Sequence, residues 1–223
     1  MMPIKVLVFG SSAFPRWKND PSPAFVYDLS KRLSQKGLDV SVLVPHHPGS
    51  RLFEVVDGMR VYRFRYFLPS GLERLCYDGG ILPNMKKSFL ARLQLPFLVV
   101  AEFFSLWKVA KKEHPDIIHA HWILPQGFVA AIIGKLLKIP VVVTAHAGDV
   151  FPLNNALFRL LSSFAAKSAA VITVNSSFTK SAVAKISNLT GIKVIPMGVD
   201  MQIFSSASSF AAAAIRKKFG ITG

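Results

Sequence analysis

Short runs of apolar, mostly β-branched residues alternate along the chain with longer segments of helical character. Most of these runs are continuously apolar and do not alternate with polar residues. Strands that are buried on both faces, as in a parallel sheet covered by helices, have this pattern. The predicted strands cover residues 4–9, 40–44, 61–64, 116–119, 141–144, 171–174 and 193–195.

The segments between the strands carry the end signals of helices. Ser22 is expected to cap a helix whose first turn begins with Pro23, and Gly37 supplies the left-handed residue that ends it. Further helices are predicted over 126–138, after Asn154 or Asn155, and from about Ser176 to a point before Gly191. Strand and helix repeated in this order predict a Rossmann-like, doubly wound α/β fold, with a mainly parallel sheet and helices on both faces.

The middle and the end of the chain are less regular. Residues 65–83 are predicted to form a loop, and 95–112 a helix with Pro96 in its first turn. Small and polar residues over 205–210 precede a short predicted helix at 211–219. We therefore expect residues 1–204 to form an N-terminal domain, and 205–223 to form a linker and helix leading to a further domain outside this sequence.

Composition narrows the class of protein. Apolar residues make up 51% and charged residues 17% of the chain, which excludes a disordered protein. The single cysteine excludes a disulfide scaffold and a cysteine-rich metal site. The net charge of +15 favours anionic partners. Nucleic acid is not expected among them, because the charge is dispersed and no nucleic-acid-binding motif is present.

The apolar stretch at 95–107 has two interpretations. It is shorter than the roughly 20 residues of a membrane span, is interrupted by Glu102, and no signal peptide precedes it, so a cytoplasmic protein is expected. The stretch is either a core helix with solvated basic ends, or part of a segment, 86–112, that lies on the anionic inner face of a membrane. Its flanking cations are Lys86, Lys87, Arg92, Lys108, Lys111 and Lys112.

Polar residues follow nearly every predicted strand. Open α/β sheets bind ligands at the carboxyl ends of their strands, so we predict that these residues meet at one edge of the sheet. They include Gly10, Ser11, Ser12, His46, His47, His119, His121, His146, Asp149, Asn175, Ser176, Gly198 and Asp200.

Each histidine also has a structural interpretation. A short glycine-containing turn can expose both His146 and Asp149 at the ligand edge, but a histidine after a strand is often only a hydrogen-bonded structural residue. His119 and His121 share a face of an extended chain, as two metal ligands could. No metal is expected, however, because no Cys, Asp or Glu stands at ligand spacing. His46 and His47 are expected to form a solvated loop pair.

The turn after the first strand can offer backbone N–H groups to a phosphate. It consists of Gly10, Ser11 and Ser12. No second or third glycine follows at the spacing of a dinucleotide-binding motif, and the chain contains no Walker motif. A standard dinucleotide site is therefore not expected.

An ordered set of motifs resembles the N-terminal domain of retaining GT-B glycosyltransferases of the group 1 or family 4 type. The resemblance covers nearly the whole chain. Its segments are FPRW at 14–17 with Asp20 and the Phe-Val pair at 25–26, DIIHAHW at 116–122, TAHAGDV at 144–150, VNS at 174–176, and VIPMGVD at 194–200 followed by Phe204.

The resemblance implies an acceptor-binding domain, with a second domain that binds most of a nucleotide-sugar donor. The implied reaction transfers a sugar to an acceptor hydroxyl with retained configuration and without a cofactor or metal. The implied acceptor is a glycan or a lipid-linked molecule, in glycolipid, polysaccharide or cell-envelope glycan synthesis. Without the donor-binding domain, the isolated chain is expected to be inactive.

The resemblance also implies roles for individual residues. His146 would hydrogen-bond the donor sugar near the reacting carbon, and Asp149 would order the same turn or hold an acceptor hydroxyl. The remaining roles are donor-phosphate-facing for Gly10, Ser11 and Ser12, acceptor-binding for Arg16, Asp20, His121, Asn175 and Ser176, and interdomain for Gly198 and Asp200. One departure is Pro23, which stands where related sequences have glycine and has no N–H to donate to a phosphate.

Two other classes of function stay open. One is a non-catalytic, acceptor-binding subunit that pairs with a separate donor-domain protein. The other is an unrelated α/β nucleotide-binding protein whose basic surface engages nucleic acid.

Overall fold

A central sheet organises the part of the chain that the computed structural model describes, namely residues 2–20, 22, 24–150, 155–199, 201 and 209–221. Its strands lie in the order β3-β4-β2-β1-β5-β6-β7-β8. All neighbours are parallel except β3 and β4, which form an antiparallel hairpin. The strands are β1 Lys5–Phe9, β2 Asp39–Pro45, β3 Phe53–Val56, β4 Met59–Phe64, β5 Ile117–His121, β6 Val141–Ala145, β7 Val171–Val174 and β8 Lys193–Val194.

Helices cover both faces of this sheet. Successive residues of β1 show the division, because Val6 and Val8 pack on the side of α1 while Leu7 and Phe9 pack on the side of α3, α4 and α6. The predicted fold class is therefore confirmed. The helices are α1 Phe25–Gln35, α2 Ile81–Lys87, α3 Phe89–Glu113, α4 Phe128–Leu137, α5 Ala147–Val150, α6 Ala156–Ser168, α7 Ser177–Ser187 and α8 Ser209–Phe219.

The strand order places a crevice between β1 and β5. From β1 the chain builds outward through β2 and β4, and then returns to the other side of β1 to begin β5. Helices therefore leave the carboxyl ends of these two neighbours toward opposite faces, which is the point where open α/β sheets bind ligands.

Several helix ends are where the sequence predicted them. Asn155 caps α6 by accepting a hydrogen bond from the Phe158 N–H at 2.9 Å, and Ser176 caps α7 by accepting from Thr179 N–H at 3.1 Å. Gly37, which follows α1, has a φ of +88° as expected.

The predicted start of α1 is wrong. The helix begins at Phe25 and has no side-chain cap. Ser22 lies too far upstream, and its hydroxyl instead accepts a hydrogen bond from Arg16 Nη2 at 3.1 Å. Pro23, the departure from the family pattern, lies outside the described residues.

The start of α3 is also corrected. The helix begins at Phe89 and is capped by Ser88, whose hydroxyl accepts a hydrogen bond from the Ala91 N–H at 3.4 Å. Pro96 therefore lies inside the helix and not in its first turn, on the exposed side. With 25 residues, α3 is long and apolar enough to cross a membrane by length and composition. The prediction that this segment is too short to span a membrane is therefore wrong. The inner face of α3 is buried against the rest of the fold.

The hairpin of β3 and β4 was not predicted. Its two-residue turn is Asp57-Gly58, both with positive φ, at +49° and +79°. An Asp-Gly pair between apolar runs is a strong hairpin signal that was available in the sequence.

Candidate active site

Three strand ends meet at the crevice between β1 and β5. Gly10 follows β1, Trp122 follows β5 and His146 follows β6. A Cβ added to Gly10 would lie 3.7 Å from the Trp122 ring and 4.0 Å from Cβ of His121. Turns that are more than 100 residues apart in sequence therefore share one edge of the sheet, as predicted.

His146 is enclosed by rings on several sides. Its Nε2 lies 3.2 Å from Nδ1 of His121, and the two rings stack with an angle of 15° between their planes. Phe25 and Trp122 pack around the same imidazole, with ring centroids 4.9 and 5.1 Å from it. The prediction that the turn exposes His146 is wrong, because these neighbours leave only 7% of the residue accessible.

Trp122 adopts an unusual backbone conformation. Its φ of +72° lies in the left-handed region that bulky side chains rarely occupy. Its carbonyl accepts a hydrogen bond from the Gly127 N–H at 2.9 Å, and a Cβ on Gly127 would lie only 2.9 Å from that oxygen. The tight turn after β5 thus directs the indole toward Gly10 and His146.

Asp149 joins two of the converging turns. Oδ1 accepts a hydrogen bond from the His146 N–H at 2.8 Å, and Oδ2 accepts one from the Ile123 N–H at 2.5 Å. The residue is buried and not exposed as predicted, because both carboxyl oxygens face backbone. Burial raises the pKa of Asp149 to about 7, against the two N–H bonds, which lower it.

A polar chain runs beneath His146 across three strands. His119 Nε2 lies 2.8 Å from the Thr144 hydroxyl, which in turn lies 2.7 Å from the Thr173 hydroxyl. The rings of His119 and His121 share a face of β5, with centroids 4.4 Å apart. Among the described residues, no group of three or more His, Cys, Asp or Glu side chains could hold a metal ion.

Burial keeps this histidine cluster neutral. It lowers the pKa of His119 and of His146 to about 4, and that of His121 well below its usual value. At neutral pH, His146 therefore acts as a hydrogen-bonding group and not as a cation. Since Nε2 faces His121, Nδ1 is the ring atom without a hydrogen-bond partner among the described residues.

We expect acid to destabilise the fold through these histidines. For one histidine with a pKa near 4 in the folded state and near 6.5 in the unfolded state, the free energy of unfolding of the protein falls by up to about 3 kcal/mol as pH drops from 6.5 to 4. Because Asp149 shifts stability in the opposite sense over much of the same range, the test compares wild type with His119→Gln. Urea unfolding at pH 7, 5.5 and 4.5 should show a smaller acid loss in the variant. Equal losses would contradict the assignment.

The other residues predicted for this edge are dispersed. The side chains of Asn175 and Ser176 form hydrogen bonds with Thr179 at the start of α7. These bonds give both side chains a structural role at the helix start. Ser11 is buried, whereas the Ser12 hydroxyl lies 3.5 Å from where a Cβ of Gly80 would be. Gly198 is exposed, and Asp200 lies outside the described residues. The roles implied for these residues, and for His121, stay predictions.

Arg16 and Asp20 form a second cluster with a partner that was not predicted. The guanidinium donates from Nε and Nη2 to the Asp20 carboxylate at 2.9 and 2.8 Å, and from Nη1 to Asp78 at 2.8 Å. It also lies 4.4 Å from the centroid of the Trp17 ring. The bond from Arg16 holds the pKa of Asp20 well below its usual range. Asp78 was not predicted because the Asp78-Gly79-Gly80 turn follows no predicted strand.

An open cleft of about 360 Å³ lies beside this cluster. Its walls include His47, Tyr77, Asp78, Asn84, Lys87 and Ser88. The predicted solvated pair at 46–47 is wrong, because His46 is buried against Glu73, with Nδ1 2.5 Å from Oε2. His47 alone faces the cleft, with Nε2 3.3 Å from Arg16 Nη1. Both hydrogen-bond donors and acceptors therefore line this space.

The fold of the described residues matches one half of GT-B glycosyltransferases. A sucrose-phosphate synthase from Thermosynechococcus elongatus superposes with a TM-score of 0.59, at 16% identity, over 96% of this chain and 98% of that one. HepE from Anabaena, in complex with UDP-glucose, superposes with a TM-score of 0.58, also at 16% identity, over 97% of this chain and 50% of that one.

The sequence also matches a family. Residues 23–203 match the profile of Glycosyltransferase Family 4, and the chain therefore belongs to that family. A Bacillus subtilis (strain 168) protein, "Putative teichuronic acid biosynthesis glycosyltransferase TuaC", is 29% identical over 219 residues, which are 95% of this chain and 54% of that protein. "Uncharacterized glycosyltransferase MJ1178" from Methanocaldococcus jannaschii is 27% identical over 131 residues, covering 55% and 35%.

These matches confirm the family resemblance and the predicted fold class. The chain spans about half, or less, of the length of the curated relatives it matches. Among the structural relatives, by contrast, the sucrose-phosphate synthase structure superposes over almost the whole of both chains, with a TM-score of 0.59.

Proposed function

We propose that this chain is the acceptor-binding half of a retaining glycosyltransferase that moves a sugar from a nucleotide-sugar donor to an acceptor hydroxyl. The product would belong to glycolipid, polysaccharide or cell-envelope glycan synthesis. The observation that carries the proposal is the convergence of Gly10, His146 and Asp149 at the crevice between β1 and β5 in a chain of family 4.

His146 supplies a neutral donor to the reacting sugar. Its Nε2 is engaged with His121, and Nδ1 is the atom left for a ligand. A neutral imidazole in a site from which water is largely excluded can donate to a sugar hydroxyl without a competing charge. Asp149 positions His146 indirectly. Its carboxyl group accepts hydrogen bonds from the backbone N–H groups of Ile123 and His146, and these bonds fix the turn that carries His146.

The donor binds largely to a second half, which either continues this polypeptide or belongs to a partner. Support comes from the length of the relatives and from HepE, which was crystallised with UDP and with UDP-glucose. This half contributes the N–H groups of Ser11 and Ser12 to the donor phosphate, since the Gly10 N–H donates to the Leu43 carbonyl at 3.1 Å. On its own the chain is inactive, because it lacks most of the donor contacts.

The acceptor occupies the cleft beside Arg16. Asp78 offers a carboxylate acceptor and Lys87 an amine donor for sugar hydroxyls there, and Arg16 holds both Asp78 and Asp20 in place. Tyr77 is buried behind His47 and supports the wall of the cleft from within, with ring centroids 5.4 Å apart.

The test is a screen of nucleotide-sugar donors and acceptors with this chain joined to, or mixed with, its donor-binding half. Transfer with a retained anomeric configuration, and none from either half alone, is the expected result. Inversion of configuration, or binding of acceptor without transfer to any acceptor or water, would refute the proposal. The latter outcome would favour a non-catalytic acceptor-binding subunit.

A further inference from the structure

The outer face of α3 carries a continuous apolar stripe. Five large side chains recur there every three or four residues and are 50–78% exposed, which makes them neighbours on one side of a helix. From the first to the last, they span about 22 Å along the axis. We call them the α3 stripe: Phe89, Leu93, Phe97, Val100 and Phe104.

The inner face of the same helix is firmly packed and does not compete for this surface. Leu98 and Leu106 belong to the core beneath the sheet, and Glu102 is buried with its Oε1 2.7 Å from Nε2 of Gln126. Since these side chains hold α3 against the fold, the stripe stays on the outside. Within the described residues, one edge of the stripe contacts neighbouring rings, Phe97 with Phe67 at 5.6 Å and Phe104 with Phe103 at 5.4 Å between centroids. The outer sides of all five stripe residues are nevertheless exposed.

Cations bracket the stripe at both ends. All six Lys and Arg side chains of residues 86–112 are exposed, and the only acidic residue in that range is the buried Glu102. An apolar face between exposed cations matches the interface of a bilayer with acidic head groups, where rings enter the acyl boundary and amines remain with phosphates. The six are Lys86, Lys87, Arg92, Lys108, Lys111 and Lys112.

A second copy of the chain is a poorer match for the same face. Both ends of the stripe are basic, so two stripes packed in either direction would bring cations against cations. An anionic surface has the opposite charge at both ends. Charge complementarity therefore selects the lipid surface over self-association.

We infer that the α3 stripe docks this protein flat on an anionic phospholipid bilayer, with α3 parallel to the membrane plane. The junction between α2 and α3 also borders the open cleft, through Lys87 and Ser88. A docked protein therefore holds the cleft next to the lipid head groups. If the proposed function holds, this position suits an acceptor whose lipid tail stays in the membrane.

Co-sedimentation with vesicles tests the inference. The protein should co-sediment with vesicles of phosphatidylcholine and about 30% phosphatidylglycerol at about 50 mM salt. The bound fraction should be far smaller at about 500 mM salt or with phosphatidylcholine alone. Phe97→Ser with Phe104→Ser should weaken the partition coefficient by about 100-fold, because binding scales with the apolar area inserted. Lys108→Gln with Lys111→Gln should weaken it by about tenfold and flatten the salt dependence.

A matched control removes two exposed apolar side chains from the opposite side of the sheet. Ile4→Ser with Leu29→Ser should leave vesicle binding unchanged, since Leu29 belongs to α1 and Ile4 precedes β1, so neither is part of the stripe. Far-UV circular dichroism should show that every variant is folded. The inference is overturned by equal binding of the stripe and control variants, by failure of the wild type to pellet, or by equal binding to neutral vesicles. A concentration-dependent dimer that the stripe variant abolishes would also overturn it. Because none of these measurements uses a sugar, they are independent of transferase activity.

Discussion

Replacing His146 with alanine should lower kcat by about 100-fold or more in the protein assembled with its donor-binding half. The loss is expected because the imidazole is held in place before substrate arrives. His121 fixes Nε2 from one side, and the rings of Phe25 and Trp122 fix the plane. A hydrogen bond from a group that is already oriented stabilises the transition state without a cost of reorganisation.

The measurement is steady-state transfer with the best donor and acceptor pair from the screen. KM for the acceptor should change much less than kcat, since the acceptor cleft is lined by other residues. His146→Asn restores a side-chain donor and should recover part of the rate. Thermal unfolding of each variant separates lost chemistry from lost structure. A variant that folds and retains near-normal kcat would remove His146 from the reaction.

Asp149→Ala should lower the free energy of unfolding by about 3 kcal/mol. The carboxylate is the acceptor for two buried N–H groups, those of Ile123 and His146, and alanine leaves both without a partner. Asp149→Asn keeps one oxygen acceptor and should lose less. The difference in the free energy of unfolding between the two variants therefore measures the contribution of the hydrogen bonds separately from that of packing.

Urea unfolding at pH 7 measures this difference. Asp28→Ala on the exposed side of α1 is the matched control, and its loss should stay under about 1 kcal/mol. Asp149→Ala should also reduce kcat, because the turn that carries His146 is no longer fixed. If Asp149→Ala unfolded at the same urea concentration as wild type, the two hydrogen bonds would contribute nothing to the fold.

Local sequence signals were sufficient for most elements of the fold. Continuous apolar runs identified seven strands, and caps such as Asn155 and Ser176 identified helix starts. The errors arose where two local signals competed. Proline is common in the first turn of a helix, but Ser88 caps α3 eight residues before Pro96, and the helix tolerates the proline on its exposed side.

Burial and partners within the candidate site could not be derived in the same way. The sequence identifies His46 and Arg16, but their partners Glu73 and Asp78 lie 27 and 62 residues away. Only the folded sheet brings such pairs together. The enclosure of His146 likewise depends on the positive φ of Trp122, a conformation that its residue type does not favour.

The placement of the site in the middle of the sheet has a consequence for its motions. β1, β5 and β6 are flanked by further strands on both sides, whereas β3 and β8 lie at the margins. Margins of a sheet open first in native-state hydrogen exchange, and central strands open close to the global limit. The amides of β1, β5 and β6 should therefore be among the slowest to exchange, and fraying at either margin leaves the turn of His146 and Asp149 assembled.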